Sequence, residues 1–313
     1  MIENNNPLLC DIEKGICEMP NTYITDEHQD ITSKPKKPVK IIYFTDPICS
    51  SCWGIEPQLR KLKLEYGTDI EIEYRMGGLL PNWNYFNSGG IAKPSDVAHH
   101  WDEVSEYYDM PIDGDVWLED PLHSSFPPSV AFKAAQLQDE AKAVLFMRRI
   151  REMVFLEKKN ITNWAHLSLA ANEVGLDSQL LKHDYENQAK DLFQEDLALA
   201  QKLGVRGFPT LFFADGSHLK TQTVYGFRPY QAFENAILNT FPKATKYEYD
   251  ASWTYLFNKY PRLTTREFAE LSGNTKSDSE KLLQQLTTQG KLSRTDIKNG
   301  TIWTINKDQT PTT

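Results

Sequence analysis

The stretch Val39-Lys40-Ile41-Ile42-Tyr43-Phe44-Thr45-Asp46-Pro47-Ile48-Cys49-Ser50-Ser51-Cys52-Trp53 decides the fold. Its first six residues are β-branched or aromatic apart from Lys40, which predicts a buried strand. Asp46-Pro47 turns the chain. Beyond Trp53, apolar residues recur at Ile55, Leu59, Leu62 and Tyr66, and Gly67 follows, so a helix is expected to open at the cysteines and end there. A Cys-x-x-Cys at that junction has a physical logic. The first sulfur lies over unpaired backbone N–H groups and the positive end of the helix, which favours its thiolate. The second lies one turn on, within reach of a disulfide. Cys49 is thus expected to attack a substrate disulfide and Cys52 to resolve the mixed disulfide. A zinc pair is the competing reading, but a tetrahedral site needs two further ligands and no second close Cys/His pair follows.

Outward from this stretch, Ile70-Glu71-Ile72-Glu73-Tyr74 alternates as a second strand. Between about residues 94 and 204 helical periodicity dominates. Helices are expected over 128–138, 140–158 and 184–203, with another opened by Thr162. Strand character resumes with Thr210-Leu211-Phe212-Phe213, a turn at Asp215-Gly216, a strand near 223–225 and a helix over 229–239. Residues 1–38 are polar and read as an irregular arm, and 39–245 as one domain carrying a helical insertion at about 94–204. Residues 250–306 form a small module of three helices and a hairpin across Asn299-Gly300, which suggests a winged-helix-like unit.

A second signal is Gly204-Val205-Arg206-Gly207-Phe208-Pro209-Thr210, directly before a strand. Proline there cannot donate to a sheet, and the tight turn suits a cis bond after Phe208. Facing the dithiol, such a loop offers backbone groups with which an extended substrate can pair as an added strand. Phe208, Pro209 and Trp53 are the substrate-binding candidates.

The order strand–helix–strand, helical block, hairpin, helix is the thioredoxin-like arrangement, an α/β fold. The chain resembles the DsbA family of the thioredoxin superfamily, and within it the cytoplasmic FrnE-like and YjbH-like (ClpXP adaptor) branch. The stretches that carry the resemblance are Phe44-Thr45-Asp46-Pro47-Ile48-Cys49-Ser50-Ser51-Cys52-Trp53, Ala131-Phe132-Lys133-Ala134-Ala135-Gln136-Leu137, Phe155-Leu156-Glu157-Lys158-Lys159-Asn160-Ile161-Thr162 and the Pro209 loop, spread over roughly residues 39–240. The resemblance implies a cis Pro209, a nucleophile at Cys49 and a resolving thiol at Cys52. One position departs from it: many thioredoxin-fold enzymes carry a buried acid six residues before the first cysteine, and here Tyr43 stands there. Asp46 is the nearest acid and the candidate for proton transfer.

The other two cysteines, Cys10 and Cys17, are candidates for a secondary redox pair that exchanges with Cys49–Cys52, or for metal ligands with His28 as a third; no metal site is assigned, because a fourth ligand is missing. His99 and His100 lie about 100° apart on a helix and cannot share one metal. A formal net charge of -9 over 313 residues disfavours nucleic acid and anionic membranes as partners. The expected recognition helix of the last module mixes Lys276 and Lys281 with Asp278 and Glu280, so protein docking is favoured over DNA binding there. The start of the sequence lacks a basic segment followed by an apolar run, and no stretch of about 18 apolar residues occurs, so a cytoplasmic location is expected.

Two functions compete at this level. The first is a cytosolic thiol–disulfide oxidoreductase or isomerase acting on protein or small-molecule disulfides, with glutathione a candidate partner and no cofactor required. The second is a YjbH-like adaptor that presents a client protein to ClpX, with the dithiol regulatory or dispensable. A glutathione-dependent kappa-transferase type of isomerase shares the fold but needs no resolving thiol, which counts against it here.

Overall fold

The computed structural model describes residues 10–11, 16–18, 37–85, 93–216 and 221–306. Two short strands, β1 (Cys10–Asp11) and β2 (Ile16–Glu18), precede β3 (Val39–Thr45), α1 (Ser50–Gly54), α2 (Glu56–Tyr66) and β4 (Ile70–Met76). The helical block follows as α3 (Pro94–Tyr108), α4 (Val116–Glu119), α5 (Phe126–Gln138), α6 (Glu140–Leu156), α7 (Trp164–Glu173), α8 (Ser178–Glu186) and α9 (Ala189–Lys202). Then come β5 (Gly207–Phe208), β6 (Thr210–Asp215), β7 (Thr221–Tyr225) and α10 (Tyr230–Thr240).

The central sheet has the order β4-β3-β6-β7. β3 is buried along its whole length, as its run of β-branched and aromatic residues requires of an inner strand covered on both faces. It pairs parallel with β4 from Val39↔Ile70 to Thr45↔Met76, with α1 and α2 as the crossover, and antiparallel with β6 from Val39↔Asp215 to Phe44↔Thr210. Lys40, the one charged residue of the strand, is neutralised by Glu73 at 2.7 Å.

The expected single helix after the cysteines is two. The break falls at Ile55, whose φ/ψ of -93°/2° leaves the helical region between α1 and α2. Pro57 explains it: its nitrogen carries no hydrogen for the Trp53 carbonyl, and its ring clashes with that turn. The helix expected over 184–203 also divides, at Asn187, whose Nδ2 donates to the His183 carbonyl at 2.7 Å. Helices 128–138 and 140–158 form as α5 and α6, and Asp139 both ends the first and caps the second, accepting from the N–H groups of Ala141 and Lys142.

The arm, expected to be irregular, contributes two strands. β1 and β2 pair antiparallel, and β2 adds to β5, giving a second sheet of order β1-β2-β5. His28 lies outside the described residues.

The last stretch folds as α11 (Trp253–Lys259), β8 (Arg262–Thr264), α12 (Thr265–Ser272), α13 (Lys276–Thr288), β9 (Leu292–Ile297) and β10 (Gly300–Ile305), with a sheet of order β8-β10-β9. The three helices and the hairpin stand where the sequence suggests them, and β8 is additional. A core of Leu256, Phe257, Leu263, Phe268, Leu283 and Trp303 holds them together. A reciprocal cap starts α12, with Thr264 and Glu267 each accepting from the other's backbone N–H. The hairpin register pairs Ile297 with Gly300, so its two-residue tip is Lys298-Asn299, one position earlier than the Asn-Gly reading. That tip is clamped from outside: Asn299 donates to Asp102 and to the Ile112 carbonyl at 3.0 Å each, and Lys298 pairs with Asp102 and Asp115.

Candidate functional site

β3 delivers Cys49 to the N-cap of α1 with extended backbone, φ/ψ -76°/106°. There its sulfur accepts the backbone N–H of Cys52 at 3.2 Å. This donor lies where an N-cap side chain takes up an otherwise unmatched helix N–H, and it favours negative charge on the sulfur. The two sulfurs are not joined as a disulfide, and both cysteines are fully buried. Burial alone would push the Cys52 thiol up; the hydrogen bond with Cys49, the Arg151 guanidinium and the hydroxyls of Thr45 and Tyr43 outweigh it and hold Cys52 below the ordinary thiol range.

Beneath the dithiol lies a charged floor that the sequence analysis missed. Arg151, on α6, has no solvent exposure. Its Nη1 donates to Glu56 at 2.6 Å, and its Nη2 to the Thr45 hydroxyl at 2.5 Å and the Asp46 carbonyl at 3.2 Å. Thr45 in turn donates to the Tyr43 hydroxyl at 3.1 Å. Tyr43 stands where a buried acid was looked for, and burial first, with the neighbouring Cys52, raises its phenol well above the ordinary value. Tyr43 therefore stays neutral, and Arg151 supplies the charge under the sulfurs. The signal was present in the sequence: Met147, Ile150 and Val154 form the apolar stripe of α6, and Arg151 falls on that stripe.

Asp46, the candidate for proton transfer, is fully buried. Its carboxylate accepts from the N–H of Ile48 at 3.0 Å, the N–H of Leu79 at 2.7 Å and the Ser125 hydroxyl at 2.8 Å. These bonds tie the cysteine loop to the segment after β4 and to the start of α5. Burial pushes its carboxyl up to about 6 despite those donors.

The Pro209 loop lies between β5 and β6, and the Phe208–Pro209 bond is cis. Pro209 accepts from the Gly226 N–H at 2.8 Å. The Phe208 side chain is buried against Gly77, where a Cβ would collide with the ring. β5 offers its outer backbone edge to β2, with Cys17 opposite Phe208 and Glu18 opposite Gly207. β2 also lies against α1.

Trp53 is fully buried as well, so neither its ring nor that of Phe208 is open to a substrate as the structure stands. The Trp53 indole donates to the Pro111 carbonyl at 3.0 Å, stacks on Phe155 at 5.4 Å, and carries the Arg148 guanidinium over its face at 4.3 Å. Arg148 then reaches the last module, gripping the Glu267 carboxylate with two N–H groups at 2.8 and 3.0 Å.

Of the remaining sequence candidates, Cys10 and Cys17 stand opposite each other in the β1–β2 register. His99 is exposed and His100 buried, on different faces of α3 as their spacing requires. Among the described residues no cluster of three or more His, Cys, Asp or Glu could hold a metal, and no helix is long and apolar enough to cross a membrane. Lys276 of α13 is paired with Asp109, and Lys281 with Asp278, so the two lysines weighed for phosphate contacts are both in ion pairs.

The family described as Thioredoxin matches residues 43–235. The chain is similar over nearly its whole length to the ClpXP adapter protein SpxH of Halalkalibacterium halodurans, 33% identical over 307 residues, 97% of this chain and 99% of that one. The ClpXP adapter protein SpxH of Shouchella clausii is 33% identical over 300 residues, 94% and 95% of the two chains. Among solved structures, the cytosolic disulfide reductase DsbM from Pseudomonas aeruginosa aligns with a TM-score of 0.52 at 22% identity, over 64% of this chain and 98% of that one, a likeness that speaks for the fold alone. Taken with the dithiol at the strand–helix junction and the sheet order, these matches mean that the chain belongs to the thioredoxin family and, within it, to the SpxH family.

Proposed function

We propose that the chain is an adaptor that presents a client protein to the ClpXP protease in the cytoplasm. One observation carries this reading: the similarity to the SpxH adapters runs over 97% of the chain and so includes the last module, whereas the alignment with the disulfide reductase covers 64%. The module suits protein docking, because its lysines at 276 and 298 are spent on ion pairs with α3 and the segment after it. The test is a pull-down followed by reconstitution. The immobilised chain should retain ClpX and a client together, and purified ClpXP should degrade that client severalfold faster when the chain is added. The Cys49→Ser/Cys52→Ser variant should retain both partners. A chain that binds neither ClpX nor any substrate of the protease overturns the proposal.

A second reading has its own support in the thiol environment. The Cys52 N–H on the Cys49 sulfur at the helix N-cap suits a thiolate nucleophile there, with Cys52 as resolving thiol and Asp46 as a positioning residue for the loop. Under this reading the chain exchanges disulfides with a protein or with glutathione, and an extended substrate pairs on the β5 edge in place of β2. Reduction of a protein disulfide by glutathione should then accelerate in the presence of the chain, and Cys49→Ser should abolish the effect. Undiminished turnover in that variant removes the reading.

A further inference from the structure

The backbone edge at the Pro209 loop already has a strand on it. β2 runs antiparallel to β5, with Cys17 level with Phe208, the residue before the cis bond. The same strand lies against α1, the helix capped by Cys49. An extended client that added to this edge would need the hydrogen-bonding groups that β2 takes. Full burial of Cys49 accords with an edge in use. On its other side β2 pairs with β1, and the register sets Cys10 opposite Cys17. Residues directly opposite in an antiparallel ladder have Cα atoms about 4.5–5.5 Å apart, inside the range that a disulfide spans. Of the chain's four cysteines, two therefore belong to the dithiol and two to the ladder built on the dithiol's substrate edge.

We propose that β2 is a built-in occupant of the client-strand position, that Cys17 is the internal exchange partner of Cys49, and that Cys10 is the thiol that resolves it. This rests on the reading of Cys49 as an exchange nucleophile and is independent of the adaptor activity. The chemistry balances within the chain. A low-molecular-weight disulfide, such as oxidised glutathione, first converts Cys49 and Cys52 to a disulfide and is itself reduced to two thiols. The Cys17 thiolate attacks the Cys49 sulfur, the bond to Cys52 breaks, and Cys52 leaves as a thiolate that takes up a proton. The Cys10 thiolate then attacks the Cys17 sulfur, closing Cys10–Cys17 and releasing Cys49, which is protonated in turn. Two electrons pass from the arm to the core pair, and the two protons lost by the arm thiols are regained there. The outcome is a closed arm hairpin and a reduced dithiol, so the oxidation state is stored on the strand that covers the client edge.

The full-length Cys10→Ser/Cys52→Ser chain, in which neither resolving thiol can break the captured link, tests this when exposed to oxidised glutathione, quenched and digested with trypsin without reduction. Lys14 separates Cys10 from Cys17, so the linked peptides are distinguishable. A Cys17–Cys49 linked peptide is expected, with a yield independent of protein concentration, absent from Cys10→Ser/Cys17→Ser/Cys52→Ser and replaced by a Cys10–Cys17 link when Cys10 is restored. Glu18→Pro, which keeps every thiol of that background but breaks the pairing with Gly207, should lower the yield by about tenfold or more as the local concentration of Cys17 falls, with glutathione on Cys49 taking its place. If Cys49 takes up glutathione in the starting variant but never links to Cys17, the internal partner is refuted while the nucleophile reading stands. If Cys49 reacts with neither, both fall. A linked peptide unaffected by Glu18→Pro refutes the strand as its cause.

Discussion

Arg148 holds Glu267 with two N–H groups while its guanidinium lies on the face of Trp53, the residue after the dithiol. Glu267 is fully buried and also receives Arg60 at 3.3 Å. One carboxylate on α12 thus faces two arginines of the thioredoxin body, and burial that would push it up is outweighed by Arg148 and Arg60, which hold it below the usual carboxylate range. Trp53, Arg148 and Glu267 form a continuous path of contact from the cysteines to the last module.

Glu267→Gln should therefore be costly. It leaves Arg60 without its carboxylate and Arg148 with Glu152 alone, at 2.8 Å, and breaking a buried pair on one side costs about 3 kcal/mol or more. Lys298→Ala removes contacts to Asp102 and Asp115 that are comparable in distance but exposed, and should cost at most about 1 kcal/mol. Urea unfolding of the two variants compares them directly. Equal losses would mean that desolvation does not distinguish the two contacts.

Arg151 sets the charge under the sulfurs, so Arg151→Met should raise the thiol titration of the Cys49–Cys52 pair. Ultraviolet absorbance of the thiolate against pH measures it, and a midpoint that stays put or falls would remove Arg151 from the site. Arg151→Lys should restore the shift only in part, since an ammonium cannot hold Glu56, Thr45 and the Asp46 carbonyl in one planar fork.

Asp46 makes stability depend on pH in a direction opposite to that of an ion-paired carboxylate such as Glu267. Its folded value near 6 lies above the ordinary one, so between about pH 4 and 6 the folded chain holds more protons than the unfolded one. Stability from this group is gained as pH falls through that window and lost as it rises. Between pH 7 and 5 the wild-type chain should gain about 1 kcal/mol relative to Asp46→Asn, which lacks the titration. Denaturant unfolding at the two pH values gives the difference. A relative loss on acidification would show that the donors from Ile48, Leu79 and Ser125 dominate over burial.

Much of this site was legible in sequence because its parts are local. A buried strand ending in Asp-Pro, two cysteines three apart and a helical stripe lie within one stretch of about thirty residues, and their physics does not depend on what packs later. Pro57 carried the break at Ile55 and was overlooked because the apolar spacing runs straight through it. Arg151 is separated from Glu56 by ninety-five positions, so only its place on an apolar stripe hinted at it. The two- and three-residue strands β1 and β2 carry too little periodicity to be seen at all; they exist because a distant edge at β5 receives them. The hairpin tip shows the same limit, its register following what Asp102 and Asp115 hold rather than the local Asn-Gly preference.

The Phe208 ring fills the space that Gly77 leaves without a side chain, and this packing fixes β5, the strand onto which β2 pairs. Gly77 follows β4, its N–H donates to the Thr45 carbonyl at 2.8 Å, and a side chain there would occupy the place of the Phe208 ring. The backbone of Gly77 is not in the left-handed region, so a substitution is resisted by volume alone. Gly77→Ala should destabilise by about 1–3 kcal/mol, the usual cost of an extra carbon in a filled core. Phe208→Leu removes the ring and should also destabilise by itself, yet it frees the space that the new methyl needs. The double variant should therefore be more stable than the two single losses predict by addition, which urea unfolding of all four chains resolves. Simple additivity would mean that the ring can move aside without strain, and that Gly77 does not fix the strand onto which β2 pairs.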